Sequence, residues 1–345
     1  MLLPFDRRLS GVMKRILLIR LDKIGDLICS MPVDQVSFLE GWDKHWVIAK
    51  GLGFVPENAD PQRKFLELKK DDAKESLPKL RAFLREYRPD VAVSLQAPWW
   101  VSYALWAEGV PVRAGVRSQW HSFLFLNKGL RQRRSLAVQH EADYNLDVLK
   151  HALNISENVK TPVLKLTAPE NPALLSKYHL TAQNYVVVHP GMAGSALNWP
   201  IGNYIELIRK VSETTQVVLT GTPADEKWLT EIKATFKDHK NVLSLQSLLS
   251  ATELFTVLKN AKAVVVPSTG VAHMAASLST PVLGIYPHVR VQKPLRWAAR
   301  GPQVHIFEAP PQNADGSVCD GTHCEEFHCM AKIKVEDLLQ TLSSL

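Results

Sequence analysis

Cysteine is scarce in this chain: four in 345 residues. That is too few to staple a fold of this size with disulfides, and it points to a reducing cytoplasm. No apolar run approaches the ~20 residues that span a bilayer as a helix. The start, MLLPFDRRLSGVMKR, does not read as a signal peptide, because its apolar piece is short and no small-residue cleavage site follows. Met13 stands directly before Lys14, so residues 1–12 read as an extension or as a misjudged start. Neither half has a G-x-G-x-x-G turn after its first strand, and no Walker Gly-Lys-Ser/Thr loop is present. Zinc-finger, homeodomain and RNA-recognition signatures are also missing, so nucleic acid is not the expected partner.

What is present is a soluble, basic chain. Hydrophobic residues make up 46% and charged residues 22%, as in ordinary globular proteins, and the length suits two domains. The net charge of +7 favours an anionic partner. Residues 109–140 contain no Asp or Glu but hold Arg113, Arg117, Lys128, Arg131, Arg133 and Arg134. Most other Lys and Arg read as solvated surface.

The opening stretch, residues 14–36, sets the pattern. Residues 16–19 are a short apolar run of the kind that forms a buried parallel strand. A Gly-containing loop follows, and Leu27, Ile28 and Met31 then recur at helical spacing. Strand, loop and helix open a doubly wound α/β domain, in which ligands bind at the carboxyl ends of the strands. Asp26 falls at that junction, either as a helix cap or as a general base facing a cleft.

Strands are expected at 45–49, 91–95 and 112–116, and helices at 71–87 and 141–153. The aromatic segment QAPWWVSYALW, 96–106, reads as a helix packed on the sheet, or as an apolar rim meeting a lipid or sugar. Phe123-Leu124-Phe125-Leu126 beside basic residues reads as contact with an anionic membrane surface or as a buried edge. Residues 154–171 read as a linker. The second half repeats the design, with strands at 185–188, 216–219, 241–245, 263–266 and 282–286 and helices at 201–212, 225–236, 251–260 and 270–278. The expected domains are 1–165 and 166–345, with the ligand site between them.

Two loops of the second half suit an anion. At Ser268-Thr269-Gly270 the chain turns from a strand into a helix whose first N–H groups are unpaired, a natural phosphate site. Ser268 and Thr269 can donate hydroxyls or simply cap. His273, one turn on, faces the cleft or is a core histidine. In HPGMAGSALNWP, Gly191 and Gly194 allow close backbone approach, and Ser195 and Asn198 can donate.

Three separated segments, ILLIRLDKIGDLICSMP, VVVHPGMAGSALNWP and VVVPSTGVAHMAASLSTPVLGIYP, with KPLRWAARG after them, resemble glycosyltransferase family 9, the bacterial heptosyltransferases. The resemblance covers nearly everything from Met13 onward. It implies a GT-B fold of two Rossmann-like domains, with the acceptor on the first and the nucleotide-sugar on the second. It implies an inverting transferase that needs no metal or other cofactor. The donor would be an ADP-heptose or a related ADP-sugar, and the acceptor an anionic lipid-linked saccharide of the lipopolysaccharide core or another envelope glycolipid. The enzyme would be cytoplasmic, with peripheral contact at the inner membrane.

Residue by residue, Asp26 matches the family's general base, which favours the base over the cap. Thr269, Gly270 and His273 match donor-binding positions, Leu249 an apolar position beside the adenine, and Glu226 a ribose contact. Two positions depart. Leu197 stands where many members carry a phosphate-binding Lys, and Ser268 where many carry Asp. Lys23 and Arg296 are the candidates to replace the missing charge. The departures leave open a different nucleotide-sugar, or a non-catalytic sugar-nucleotide or glycan binder on the same scaffold. Cys319, His323, Cys324, His328 and Cys329 form a C-x4-C-x4-C set that could bind zinc or be an ordinary loop of reduced cysteines.

Overall fold

Short runs of branched apolar residues, buried on both faces, make the strands. A computed structural model describes residues 13–192, 194, 196–311 and 329–345. In chain order the described strands are β1 Arg15–Arg20, β2 Asp43–Ala49, β3 Ala59–Asp60, β4 Lys64–Leu68, β5 Val91–Gln96, β6 Val112–Val116 and β7 Lys128–Leu130. They continue as β8 Lys165–Leu166, β9 Tyr185–Val188, β10 Gln216–Leu219, β11 Val242–Ser244, β12 Ala263–Pro267, β13 Val282–Tyr286 and β14 Val304–Glu308.

Two six-stranded sheets result, in the orders β4-β2-β1-β5-β6-β7 and β11-β10-β9-β12-β13-β14. Their strand pairs are parallel throughout, for example Ile16 with Lys44 and Val91, and Val187 with Val218 and Val264. Each sheet reverses direction at its first strand, which leaves a crevice at the carboxyl end of β1 in one half and of β9 in the other. The expected doubly wound pair of sheets is therefore what forms.

The helices follow their apolar stripes. Asp72 caps Ala73–Tyr87 by accepting from the Glu75 N–H at 3.0 Å, and Leu80 and Leu84 are buried beneath it. In Glu141–Leu153 Tyr144, Leu146, Val148 and Leu149 are all buried. The aromatic segment forms the helix Trp99–Ala107. Trp100 is buried on the sheet as the packed-helix reading expects, whereas Trp99 and Trp106 are exposed. Phe123 and Leu124 are likewise exposed and Leu126 is buried. No described helix is long and apolar enough to cross a membrane.

The stretch expected to be a linker is tied down. β8 pairs antiparallel with β3, and the Thr167 N–H donates to the Asn58 carbonyl at 2.7 Å. One apolar core runs through both halves, joining Ile16, Leu18 and Leu27 to Val264, Phe255 and Ala272. Phe54 and Phe255 meet edge to face across it at 5.4 Å. The halves are thus packed against each other beside the crevice, not merely tethered.

Candidate active site

The site forms where β1 and β12 each turn into a helix. β1 ends at Arg20, and Ile24–Ser30 begins after Lys23. Lys23 occupies the cap position without a side-chain cap bond, and Asp26 lies in the first turn. The Asp26 carboxylate bonds to the guanidinium of Arg20 rather than to the helix amides, so it is not a cap. Burial pushes the Asp26 carboxyl above the usual aspartate range; Arg20 opposes this, and Asp22 and Glu141 add to it. A carboxylate made more basic in this way is better suited to accept a proton.

Arg20 is itself buried, and it reaches Asp22 at 3.6 Å and Glu141 at 3.3 Å. Glu141, at the start of Glu141–Leu153, also receives Arg134 at 2.6 Å and Arg296 at 3.2 Å. One buried carboxylate therefore gathers three guanidinium groups, one of them from the opposite half.

On the facing wall, β12 ends in Pro267, and Thr269 caps the helix Gly270–Ser277. The Thr269 hydroxyl makes no cap bond, which leaves it and the first helical N–H groups available to a ligand. The two helices touch at their starts. A Cβ on Gly270 would lie 2.3 Å from the Ile24 Cγ2, and one on Gly25 would lie 3.1 Å from the His273 ring. Glycine at 270 lets the two positively polarised helix ends come this close, and at 25 a side chain would already crowd His273.

A cavity of about 780 Å³ opens along this contact, lined by Lys23, Asp26, Ser268, Thr269, His273 and Arg296 among others. A second cavity of about 350 Å³ shares Ile24, Met192, Thr269 and Gly270 with it and runs over Leu249, Leu254, His189 and Asp225. The pair offers a polar chamber with a base and an apolar side pocket.

The histidines are neutral. Burial, with His140 nearby, pushes His273 down to about 3, and a ring nitrogen lies 3.5 Å from the Cys29 sulfur. Burial lowers His189 to about 4 against the pull of Asp225, and its Nδ1 lies 3.0 Å from the Thr220 hydroxyl. Positive charge at the chamber thus comes from Lys23, exposed at the rim, and from Arg296, which is engaged by Glu141 and lies over the Trp297 ring at 4.9 Å.

The anticipated site residues divide. Asp26, Ser268, Thr269, Gly270, His273, Lys23 and Arg296 meet in one chamber, and Leu249 lines the adjoining pocket. Asn198 does not donate into it. Its amide donates to the Pro190 carbonyl at 2.7 Å and accepts from the Trp199 N–H and the Tyr204 hydroxyl, so it braces the loop instead. Gly191 packs against the Asp225 carboxylate, where a Cβ would clash at 2.2 Å, and Gly194 is exposed with φ of 74°. Ser195 lies outside the described residues, as do Cys319, His323, Cys324 and His328 of the zinc candidate. Cys329 packs in the core of the second half. Among the described residues no group of three or more His, Cys, Asp or Glu is placed to hold a metal ion.

Glu226 is exposed and turned to Lys233 at 2.8 Å and Gln246 at 2.7 Å, away from both cavities. Its neighbour Asp225 lines the pocket instead, with Oδ2 bonded to Thr222 and Oδ1 buried without a partner. A Pro-Ala-Asp-Glu turn into a helix signals an acid at this place without saying which of two adjacent ones turns inward. Arg20 and Glu141 also escaped the sequence reading, since 121 residues separate them.

The pattern of glycosyltransferase family 9 (heptosyltransferase) matches residues 77–320. A Haemophilus influenzae protein assigned only provisionally as a glycosyltransferase is 25% identical over 331 residues, covering 89% of this chain and 92% of that one. A family 9 glycosyl transferase from Veillonella parvula shares the fold with a TM-score of 0.77 at 16% identity, over 96% of each chain. The Escherichia coli ADP-heptose lps heptosyltransferase II does so with a TM-score of 0.74 at 18% identity, over 96% of this chain and 98% of that one. The architecture common to them is GT-B: two Rossmann-like domains facing across a crevice.

Proposed function

This chain belongs to glycosyltransferase family 9, and on that premise we propose that it transfers a heptose, or a related sugar, from an ADP-sugar to an anionic lipid-linked saccharide of the cell envelope, with inversion. The observation that carries the reading is the Arg20-held Asp26 carboxylate in the same chamber as the uncommitted hydroxyl of Thr269 and the start of Gly270–Ser277. The similarity to an E. coli enzyme described by ADP-heptose and lipopolysaccharide supports the choice of donor and acceptor.

The reaction is a single displacement. An acceptor hydroxyl oxygen attacks the anomeric carbon as the bond from that carbon to the diphosphate breaks. Asp26 takes the hydroxyl proton, and Arg20 keeps the carboxylate oriented and ionised for it. The pair of electrons leaves with ADP, whose new negative charge falls beside the N–H groups that begin Gly270–Ser277, with Ser268 and Thr269 as further donors. Leu249 and Leu254 offer an apolar slot to the adenine, and Asp225 lines the same pocket on the side where the ribose would lie. With Leu197 in place of a cation, Lys23 and Arg296 supply the positive charge. No metal is needed for any of these steps. The work would be done in the cytoplasm, where the acceptor is presented at the inner membrane.

Asp26→Asn keeps the shape and removes the base. Turnover with ADP-heptose and a core glycolipid should fall about 10²–10⁴-fold, while ADP still protects the variant against thermal unfolding. Normal turnover by the variant refutes the assignment. The Leu197 and Ser268 departures favour, as a second reading, a sugar other than heptose; protection by a panel of ADP-, GDP- and UDP-sugars decides between donors.

A further inference from the structure

The first half carries an apolar face that the proposed chemistry does not use. Trp99 is 46% exposed, Trp106 51%, Trp120 61%, Phe123 49% and Leu124 67%. They lie on Trp99–Ala107 and Trp120–Phe125, two helices that pack on each other. Their rings are continuous: Trp99 meets Tyr103 at 6.4 Å, Tyr103 meets Trp106 at 6.1 Å, and Trp106 and Trp120 meet Phe125 at 5.6 and 6.3 Å. An exposed aromatic run of this size is not ordinary surface.

Its border is basic. The guanidinium groups of Arg117 and Arg131 lie over the Phe123 ring at 5.5 and 5.6 Å. Arg131 and Arg133 are exposed. Residues 109–140 contain no acid to offset them, and Glu108, just before, is taken up by Arg81 and Arg85.

We propose that this face docks the protein on an anionic lipid bilayer, with Trp106, Trp120, Phe123 and Leu124 entering the headgroup boundary and Arg117, Arg131 and Arg133 meeting lipid phosphates. Indole and phenyl rings suit that boundary, and each nearby arginine strengthens attraction to an acidic leaflet. Charge complementarity selects the bilayer over a second copy of this chain, because two such faces would set their arginines against one another. Position agrees. The two helices start after the carboxyl ends of β5 and β6, and β5 is the neighbour of β1, whose own carboxyl end leads to Asp26. The helix starts that carry Trp99 and Trp120 therefore lie at the same edge of the sheet as the chamber. The use of such docking rests on the proposed lipid-linked acceptor, but the docking itself is measured without donor or acceptor.

The test is flotation of the full-length protein with vesicles of phosphatidylcholine alone, and with vesicles in which about a third of the lipid is phosphatidylglycerol. Binding should be at least about tenfold stronger to the acidic vesicles. Trp120→Ser with Leu124→Ser should lower it about tenfold or more. Arg131→Glu with Arg133→Glu should abolish the preference for acidic lipid. The four side chains are exposed, so both double variants should unfold at the wild-type temperature. Failure of the wild type to float with acidic vesicles, or flotation unchanged in both variants, overturns the proposal. So does a wild-type dimer in solution that the Ser variant converts to monomer, since the face would then be covered by a second copy.

Discussion

Glu141→Gln perturbs the hub of the site with almost no change of shape. Glu141 is 1% exposed and holds Arg20, Arg134 and Arg296 at 3.3, 2.6 and 3.2 Å. Removing one partner of a buried ion pair typically costs about 3–5 kcal/mol, because the remaining charge is left without compensation. The low end applies here. The amide keeps one acceptor oxygen, and Arg134 and Arg296 retain 15% exposure and can turn to water. About 3 kcal/mol in a chain of this length lowers the melting temperature by about 4 °C.

A second effect is electrostatic. The negative charge of Glu141 is among the causes that raise Asp26, and it competes for Arg20. Without it, Arg20 belongs more fully to Asp26, whose pKa falls. A base works only when deprotonated, so the acidic limb of the kcat/KM profile should move to lower pH. The plateau should drop as well, since a weaker base accepts the proton less readily. Scanning calorimetry reads the first effect and a pH–rate profile the second. An acidic limb that stays in place or moves to higher pH refutes the coupling, whatever happens to the melting temperature.

Two further outcomes follow from burial and close packing. His273 titrates near 6.5 when unfolded but only at about 3 in the folded chain, so below pH 6.5 the unfolded state binds the extra proton and stability is lost as pH falls. By pH 5 this amounts to about 2 kcal/mol, and His273→Gln should shrink the difference in unfolding free energy between pH 7.5 and pH 5 by that amount; an unchanged difference counts against a neutral, buried imidazole. Gly270→Ala sets a methyl 2.3 Å from Ile24 Cγ2 and should cost about 1–3 kcal/mol by overpacking. Adding Ile24→Ala should restore part of that in denaturant unfolding, whereas simple additivity of the two changes would mean the contact is not the cause.

The sequence reading located the strands buried on both faces, such as β1, β5, β9, β12 and β13, where an unbroken apolar run can mean little else, and also the edge strand β11, whose Val-Leu-Ser run carries no charge. It missed the two-residue strands β3 and β8 and, in the large sheets, β4, β7 and β14. The last three lie at sheet edges, and their sequences, KFLEL, KGL and VHIFE, mix charge or glycine into the run because one side meets water. Asp26 was legible because its Gly-Asp pair directly follows a buried strand, where the sheet opens to ligands, and because the segments around it resemble a family. Asn198 misled because an amide in a glycine-rich loop can donate outward or brace the loop, and only coordinates show the 2.7 Å bond to Pro190. Nothing local in the sequence announces that Glu141 would collect Arg20 and Arg296; that is a property of how two halves meet.

The contact of Gly25 with Gly270 can act as a fulcrum. Two bodies that roll on a point move least beside it: a rotation of about 10° displaces a feature 20 Å away by about 3.5 Å but shifts the fulcrum's immediate neighbours by only about 1 Å. Asp26 and Thr269 are each one residue from that point. The bonds from Arg300 to Asp143 and from His140 to the Ala298 carbonyl would then serve as latches, released when the mouth widens. Donor entry and product exit would be governed by the latches, while the spacing between base and donor cradle stayed nearly constant through the cycle.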